Sequence, residues 1–162
     1  MGVDRPFTSY LSWRMPRTLG HSFRFVELAN DVNDHMPDYV VRRLTYGLNR
    51  RRKPVNGSRI MLLGLAYKRN TSDSRESPSL VVAERLVALG ADVRAVDTHI
   101  ALGFLPSGVE LAALTADELR AADAVVMLTD HSDFDLDLVV GNAPYVLDTR
   151  RRIAPGEGVE HL

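Results

Sequence analysis

The sequence predicts an α/β fold, in which a parallel sheet has helices on both faces and follows an N-terminal helical arm. Three observations support this class. After residue 57, short apolar runs alternate with helix-like segments, the connections are short, and the first run is apolar at nearly every position. Near-continuous apolar strands are typical of parallel sheets that are covered on both faces.

Two helices are predicted in the arm. The first spans about 6–19 and ends near Gly20. In the second, apolar residues recur every three or four positions and form one stripe of a long helix. They are Phe25, Leu28, Val32, Met36, Val40, Leu44 and Leu48. Pro37 lies inside this pattern and predicts a kink or a break. The basic run 50–53 favours a helix C-terminus.

Strands and helices alternate after the arm. The predicted strands are 59–66, 93–96, 124–128 and 145–147. The predicted helices are 78–89, a short helix after residue 115, and 133–140. A hydroxyl residue that can act as N-cap precedes each helix, namely Ser77, Thr115 and Ser132. The tail from Arg151 is charged and contains glycine and proline, so we expect it to be loose.

The composition argues against several classes of protein. With a net charge of −1, the chain has no general attraction to nucleic acid or membranes. No apolar run approaches the roughly 20 residues of a membrane helix. The absence of cysteine removes disulfides, thiolate metal sites and thiol nucleophiles. The five histidines lack metal-ligand spacing, so no metal site is predicted. No leader is visible, and we expect a cytoplasmic protein.

The loop from Tyr67 to Ser77 is the strongest candidate for a site. It follows the first strand and precedes a helix, which is where open α/β sheets bind anionic ligands. The loop supplies hydroxyls, backbone donors and the cation of Lys68, which together suit a phosphate. The ring of Tyr67 can stack on a base or pack beneath it.

A plainer interpretation of this loop stays open. It can be a solvated segment in which Asp73–Arg75 or Arg69–Glu76 ion pairs contribute little. Neither glycine-rich phosphate fingerprint occurs, because G-x-G-x-x-G and G-x-x-x-x-G-K-[ST] are both absent. Charged side chains, rather than glycine-rich backbone, must therefore bind any phosphate.

Two further groups each follow a predicted strand and should face the same sheet edge as Lys68. They are TDH at 129–131 and DTR at 148–150. Arg150 can add a second cation or a flat guanidinium. For His131 we favour the interpretation that it only bonds a neighbouring backbone group. Asp34 and His35 are interpreted as a solvated helix face rather than a catalytic pair.

Several motifs occur together in one order. They are LGLAYK at 63–68, Asp73 with RESP at 75–78, ADAVV at 122–126, TDH at 129–131 and DTR at 148–150. YLSW at 10–13 and FVELANDVN at 25–33 with MP at 36–37 precede them. Together they resemble the C-terminal part of the UDP-glucose/GDP-mannose dehydrogenase family, the NAD-dependent nucleotide-sugar 6-dehydrogenases. YLSW looks most like the UDP-N-acetylhexosamine branch.

The resemblance implies roles for individual residues. Tyr67 and Lys68 would contact the UDP part of the substrate, and Arg150 would contribute to the same pocket. Arg75 is also a binding candidate, and it would shape the loop before the helix. The helix 24–50 would be the dimerisation and domain-linking element, so a homodimer is expected.

The sequence also departs from the family pattern. Family members begin with a Rossmann NAD-binding domain and oxidise their substrate through a catalytic cysteine; this sequence has neither. Asp4 is the candidate for an aspartate that assists the cysteine, although the spacing before Tyr10 differs from that of the family. We therefore expect no cofactor in this chain and no oxidation by the chain alone.

The resemblance implies three segments and several hypotheses. Residues 1–55 form the arm, 56–153 a Rossmann-like UDP-sugar-binding domain, and 154–162 a flexible tail. The leading hypothesis is the UDP-sugar-binding domain of an enzyme of polysaccharide biosynthesis. A second is a structural or regulatory protein that pairs with a full-length dehydrogenase or another partner without nucleotide. A third is complementation by a separately encoded NAD-binding half.

Overall fold

A computed structural model of the chain describes residues 24–100 and 104–162. The predicted helix over 6–19, Asp4 and the YLSW segment lie outside the described residues. The described helices are α1 Arg24–Arg50, α2 Pro78–Ala88, α3 Ala116–Ala121 and α4 Leu136–Asn142. The strands are β1 Arg59–Leu63, β2 Asp92–Val96, β3 Val109–Leu111, β4 Ala124–Met127, β5 Val146–Asp148 and β6 Val159–His161.

The strands form one parallel sheet in the order β3-β2-β1-β4-β5-β6. The chain starts at the centre with β1, builds outward to β3, and then returns to β4 on the other side of β1. Ile60 in β1 is therefore in register with Val93 on one side and with Ala124 on the other. The predicted parallel α/β fold is confirmed, and the strand order reverses between β1 and β4.

The central strand is covered on both faces. Ile60 and Leu62 face a core that includes α1 and α2, whereas Met61 and Leu63 face a core that includes α3 and α4. All four side chains are inaccessible to solvent. The helices contribute Val40, Leu44 and Leu48 from α1, Val82 and Leu86 from α2, Leu119 from α3, and Val139 from α4. Since every position of β1 after the first is buried, its continuous apolar pattern follows directly.

The chain divides at Pro37 into two compact units, Met1–Met36 and Pro37–Leu162. Helix α1 continues through Pro37, so the predicted break is absent and a kink there stays a prediction. In the first unit, the described apolar side chains Leu28 and Val32 are 60% and 53% exposed. In the second unit, the apolar stripe of α1 is buried in the core. Among the described residues, none of the helices has the length and hydropathy to span a membrane.

Several predicted boundaries need correction. β1 ends at Leu63 rather than at 66, because Gly64 turns the chain with a φ of 79°. A Cβ on Gly64 would lie 2.2 Å from the carbonyl oxygen of Thr129, so only glycine fits this close approach. Helix α4 begins at Leu136 with Asp135 as its N-cap, so the predicted start at 133 and the cap by Ser132 are wrong. The three-residue strand β3 was not predicted.

The tail is also more ordered than the sequence predicts. Val159–His161 pairs with β5 as the edge strand β6, so a loose tail is wrong for these residues. Glu160 accepts hydrogen bonds from Arg43 and Arg50 of α1, and from the Tyr145 hydroxyl at 3.2 Å. Burial alone would raise the pKa of Glu160, but the hydrogen bonds from Arg43 and Arg50 outweigh it and lower that pKa. These long-range bonds have no local sequence signal.

Tyr145 packs directly against α1 at Gly47. Its side chain is fully buried, and burial together with the negative charge of Glu160 raises the pKa of Tyr145 to about 12. A Cβ on Gly47 would lie 2.0 Å from the Tyr145 hydroxyl oxygen. Glycine in this helix interior is therefore required by packing, despite its low helix propensity.

Replacing Gly47 tests this packing. Gly47→Ala should lower the free energy of unfolding by about 2 kcal/mol or more, since the fully buried Tyr145 must move. Gly141→Ala in α4 is the matched control, because a Cβ there meets nothing within 4 Å. It should be neutral or stabilise by up to ~1 kcal/mol. Urea unfolding measures the free energy of unfolding of both variants. A Gly47→Ala variant as stable as wild type would contradict the close packing of Tyr145 on Gly47.

Candidate functional site

The candidate site lies at the carboxyl edge of the sheet, where the loops after β1, β2, β4 and β5 meet. The strand order reverses between β1 and β4, and open α/β sheets bind ligands in the crevice at such a point. Because β1, β4 and β5 are parallel neighbours, the loops that follow them share this edge. The prediction that the TDH and DTR motifs face the same edge as Lys68 is confirmed.

A buried carboxylate at the end of β2 organises this edge. The side chain of Asp97 is fully buried. One of its oxygens accepts hydrogen bonds from the backbone N–H groups of Leu65 at 2.7 Å and Ala66 at 3.0 Å. The other oxygen accepts from the backbone of His99 at 2.8 Å and Ile100 at 3.0 Å. Asp97 thus satisfies the first backbone donors beyond the turn after β1.

The hydrogen bonds decide the charge state of this group. Burial alone would raise the pKa of Asp97, but the backbone donors of His99, Leu65 and Ala66 favour the carboxylate more strongly. The pKa of Asp97 therefore lies below the ordinary aspartate value. A charged acceptor makes these bonds stronger than bonds between neutral groups.

His131 extends the network from Asp97 to the β1–α2 loop. Its side chain is fully buried, and its Nε2 lies 3.2 Å from a carboxylate oxygen of Asp97. Its Nδ1 accepts a hydrogen bond from the backbone N–H of Asn70 at 2.9 Å. Because an amide N–H only donates, Nδ1 carries no proton, and the neutral ring donates from Nε2 to Asp97. The predicted bond of His131 to a backbone group is confirmed, but the interpretation that it makes only that bond is wrong, because Asp97 is a second partner.

The side chain of Asn70 connects the loops after β1 and β4 through hydrogen bonds. Its side-chain oxygen accepts from the backbone N–H of Ser132 at 2.9 Å and from the Ser132 hydroxyl at 3.0 Å. Its φ of 56° is left-handed, a conformation that asparagine tolerates well. The Thr129 hydroxyl adds a bond to the carbonyl of Ala66 at 2.7 Å. Both sides of the crevice are therefore joined by side chain–backbone bonds.

Lys68 and Tyr67 lie at the exposed tip of the β1–α2 loop. Tyr67 is 49% exposed, and the ammonium of Lys68 lies 5.9 Å from the centre of its ring. Lys68 forms no ion pair with any carboxylate of the described part of the chain. The backbone N–H of Tyr67 donates to the carbonyl of Asp73 at 2.7 Å, which closes the loop at its base.

Arg150 follows β5 at the same edge. Its Nε donates to the carbonyl of Leu128 at 2.6 Å, and its backbone N–H donates to Asp148 at 2.8 Å. The terminal guanidinium nitrogens have no partner among residues 24–100 and 104–162. Since β4 alone separates β1 from β5, the strands that lead to Lys68 and Arg150 are about 10 Å apart.

Two other basic residues of the β1–α2 loop are already paired. Arg75 pairs with Asp73 at 3.1 Å, and this bond raises the pKa of Arg75 and lowers that of Asp73. The plainer interpretation of an exposed ion pair thus applies to these two residues. Arg69 approaches Asp130 at 4.0 Å rather than the predicted Glu76. The structure therefore leaves Lys68 and Arg150 with more capacity for an anionic ligand than Arg75.

Three potential metal ligands also cluster beside Asp97. The ligand atoms of His99, His131 and Asp133 lie within 4.8 Å of one another. Both ring nitrogens of His131 are, however, already hydrogen-bonded, Nδ1 to Asn70 and Nε2 to Asp97. Only His99 and Asp133, 3.8 Å apart, remain, and two ligands do not make a metal site.

Sequence reasoning missed the two residues that connect this network. Asp97 ends an apolar strand in the same way that the TDH and DTR motifs do, and this position was the available signal. Asn70 had a weaker signal, because asparagine is one of the few residues that adopt a left-handed conformation. Asp34 and His35 are exposed in the first unit, in agreement with a solvated face.

Comparison with known proteins identifies relatives of this chain. The model of the UDP-glucose/GDP-mannose dehydrogenase family, UDP binding domain, matches residues 61–155. The UDP-glucose 6-dehydrogenase YwqF of Bacillus subtilis is 39% identical over 117 residues, which are 70% of this chain and 26% of that protein. The NDP-N-acetyl-D-galactosaminuronic acid dehydrogenase of Ralstonia nicotianae is 37% identical over 145 residues, 85% of this chain and 32% of the relative.

Solved structures show the same fold. The NDP-N-acetyl-D-galactosaminuronic acid dehydrogenase from Methanosarcina mazei has a TM-score of 0.70 and 28% identity, covering 85% of this chain and 30% of that one. The UDP-D-ManNAc dehydrogenase from Pyrococcus horikoshii has a TM-score of 0.72 at 23% identity, covering 90% and 35%. The chain spans about a quarter to a third of the length of the two curated relatives from Bacillus subtilis and Ralstonia nicotianae.

Replacing the buried carboxylate tests its structural role. Asp97→Asn puts an amide NH₂ where an oxygen accepts backbone bonds, so it should lower the free energy of unfolding by about 3 kcal/mol at pH 7. Because the folded pKa of Asp97 is lowered, its contribution is complete above the ordinary aspartate pKa of about 3.9. This stabilising contribution of Asp97 is lost as the pH falls through the lower pKa that Asp97 has in the folded protein.

The measurement is urea unfolding of both proteins at pH 7 and at progressively lower pH. The gap between wild type and Asp97→Asn should close on acidification. Asp117→Asn is the control, because that side chain is 96% exposed and its loss should change stability by less than about 0.5 kcal/mol. Equal stability of Asp97→Asn and wild type at pH 7 would refute the role.

Proposed function

Because this chain belongs to the UDP-glucose/GDP-mannose dehydrogenase family, we propose that it binds the UDP part of a nucleotide sugar at the crevice between β1 and β4. Residues 56–153 form the binding domain in this proposal and 1–55 the helical arm. The predicted flexible tail, 154–162, contains the edge strand β6. The names of the relatives span several sugars, so the sugar itself is left open. The predicted UDP-N-acetylhexosamine preference stays a prediction.

The availability of Lys68 is the observation that carries the proposal. Its ammonium is exposed at the edge of the crevice, with no ion pair to a described carboxylate. The negatively charged pyrophosphate of UDP can therefore take this position without breaking an existing bond. Arg150 can add terminal N–H donors from the far side of β4, and the exposed ring of Tyr67 can stack on a flat group.

The described residues do not fit NAD, the cofactor of the family, at this crevice. Dinucleotide-binding folds use a glycine-rich turn after β1 and an acidic residue at the end of β2 that binds ribose hydroxyls. Here the turn after β1 leads into a charged loop without that motif. The acidic residue, Asp97, is buried and engaged by Leu65, Ala66 and His131. We therefore propose that NAD binds to a part of the enzyme outside these 162 residues.

The oxidation is likewise proposed to need more than this chain. The family chemistry that the sequence resembles depends on a cysteine thiolate, and these 162 residues contain no cysteine. The proposed role is thus substrate binding within a nucleotide-sugar 6-dehydrogenase, a cytoplasmic enzyme that supplies uronic acid sugars for polysaccharides. The NAD-binding half can be joined to this chain or encoded separately.

A homodimer through α1 is proposed on the basis of its first unit. Leu28 and Val32 lie one turn apart and expose apolar side chains on the same face of the helix. Side chains at this spacing form a stripe that a second copy of the helix can cover. The dimer is proposed from this exposed stripe together with the family role of the helix.

Calorimetric titration with UDP tests the binding site. Lys68→Ala should weaken UDP binding at least tenfold, because a charge-assisted hydrogen bond contributes about 1.5–3 kcal/mol. Lys53→Ala is a matched control, since Lys53 is the other lysine of the sequence and pairs with Asp123 at the opposite edge of the sheet. It should change the affinity less than twofold.

Two results would overturn the proposal. One is the absence of binding heat and of a thermal shift at millimolar UDP, which would favour the structural or regulatory hypothesis. The other is undiminished binding by Lys68→Ala, which would place the nucleotide elsewhere on the protein.

Sedimentation equilibrium tests the dimer. The double variant Leu28→Asp with Val32→Asp should be monomeric, because the charges prevent burial of the stripe. Val140→Asp is the control, since Val140 is an apolar residue of α4 that is 46% exposed. A wild-type chain that is monomeric at high micromolar concentration would exclude the α1 dimer.

A further inference from the structure

We propose that Asn70 and His131 are positioning residues that hold the β1–α2 loop in the conformation that presents Tyr67 and Lys68 to the ligand. The inference rests on the proposed UDP site, and it concerns how that site is kept in order before the ligand arrives. The fixed end of the arrangement is the buried carboxylate of Asp97. The other end is the exposed tip of the loop, residues 67–70.

The loop has little packing of its own. Residues 67–70 are all exposed, so burial of their side chains cannot fix the backbone that carries them. The Tyr67 N–H bond to the Asp73 carbonyl closes the base of the loop, and Asn70 lies at its tip. The bond that the Asn70 N–H donates to His131 and the two bonds that the Asn70 side chain accepts from Ser132 therefore tie the tip to the loop after β4. The exposed Arg69 adds only a 4.0 Å approach to Asp130.

The ring of His131 suits this connection because it has one donor and one acceptor at a fixed separation. Nε2–H donates to Asp97, which accepts but cannot donate, and Nδ1 accepts from the Asn70 amide. Neither end can be reversed, so the hydrogen bonds run in one direction from the loop to the carboxylate. An ordered loop binds its ligand more tightly than a mobile one, because less conformational entropy is lost on binding.

Two substitutions at position 131 separate the two ends of the ring. The amide oxygen of asparagine can occupy the place of Nδ1, so His131→Asn can keep the bond from the Asn70 amide and loses the bond to Asp97. The amide nitrogen of glutamine can occupy the place of Nε2, so His131→Gln keeps a donor to Asp97 and loses the acceptor for Asn70. Both variants lose the aromatic contacts of the ring with His99 and Phe134.

The experiment measures three quantities on the full chain of each variant. Hydrogen exchange of the backbone amides 67–73 reports loop order without any ligand. Calorimetry gives the UDP affinity, and thermal unfolding gives the overall stability. We expect His131→Gln to bind UDP at least about tenfold more weakly than His131→Asn and to exchange the Asn70 amide at least about tenfold faster, whichever variant has the lower Tm.

A purely structural role of His131 gives a different result. The UDP affinity and the protection of the Asn70 amide would then fall equally in both variants, or fall more in His131→Asn, and either outcome overturns the positioning role. If wild type binds no UDP at all, the proposed function fails. The exchange rates of the two variants then still decide whether the ring orders the loop, and equal rates overturn the inference.

Asn70→Gly provides a second test that does not disturb the core. Glycine accepts the left-handed φ of 56° and keeps the backbone N–H, but it removes both bonds from Ser132. Because position 70 is exposed, the Tm should change little. We expect faster exchange of amides 67–73 and at least about fivefold weaker UDP binding; unchanged exchange and affinity would overturn the role of Asn70.

Discussion

The burial of one charged carboxylate constrains three of the four loops at the carboxyl edge of this sheet. Asp97 can remain ionised in the interior only because four backbone N–H groups and the ring of His131 surround it. These donors come from the chain segments after β1, β2 and β4. The positions of three loops are thus set by the requirement to satisfy a single buried charge.

This arrangement changes the use of a widespread nucleotide-binding fold. The strand order β3-β2-β1-β4-β5-β6 is the one that dinucleotide-binding domains use, with an acidic residue directed at the cofactor ribose. In this chain the corresponding residue points into the protein and supports the β1–α2 loop. In the proposed function, ligand recognition therefore falls to side chains at the tip of that loop and after β5, including the cations of Lys68 and Arg150.

Elements with local signals were predictable from the sequence, and elements that depend on distant contacts were not. Helix α2 has its cap and first residue adjacent in sequence, and Ser77 is indeed the N-cap. Ser132 carries the same kind of signal, but it bonds Asn70, 62 residues away, and Asp135 caps α4 instead. β3 and β6 have three residues each and exist through pairing with their neighbours.

Among the site residues, Lys68 was found by its position after a strand. The role of Asn70 depends on His131, which the sequence does not place beside it.

We propose that the crevice between β1 and β4 holds a pyrophosphate while Asp97 keeps its bonds to the protein. A crystal structure of the chain soaked with UDP tests it most directly. We expect the diphosphate to lie against Lys68 and Arg150, with the hydrogen bonds of Asp97, His131 and Asn70 unchanged from the unliganded protein. A diphosphate bound away from Lys68 and Arg150, or one that displaces the bonds of Asp97, His131 and Asn70, would contradict this proposal.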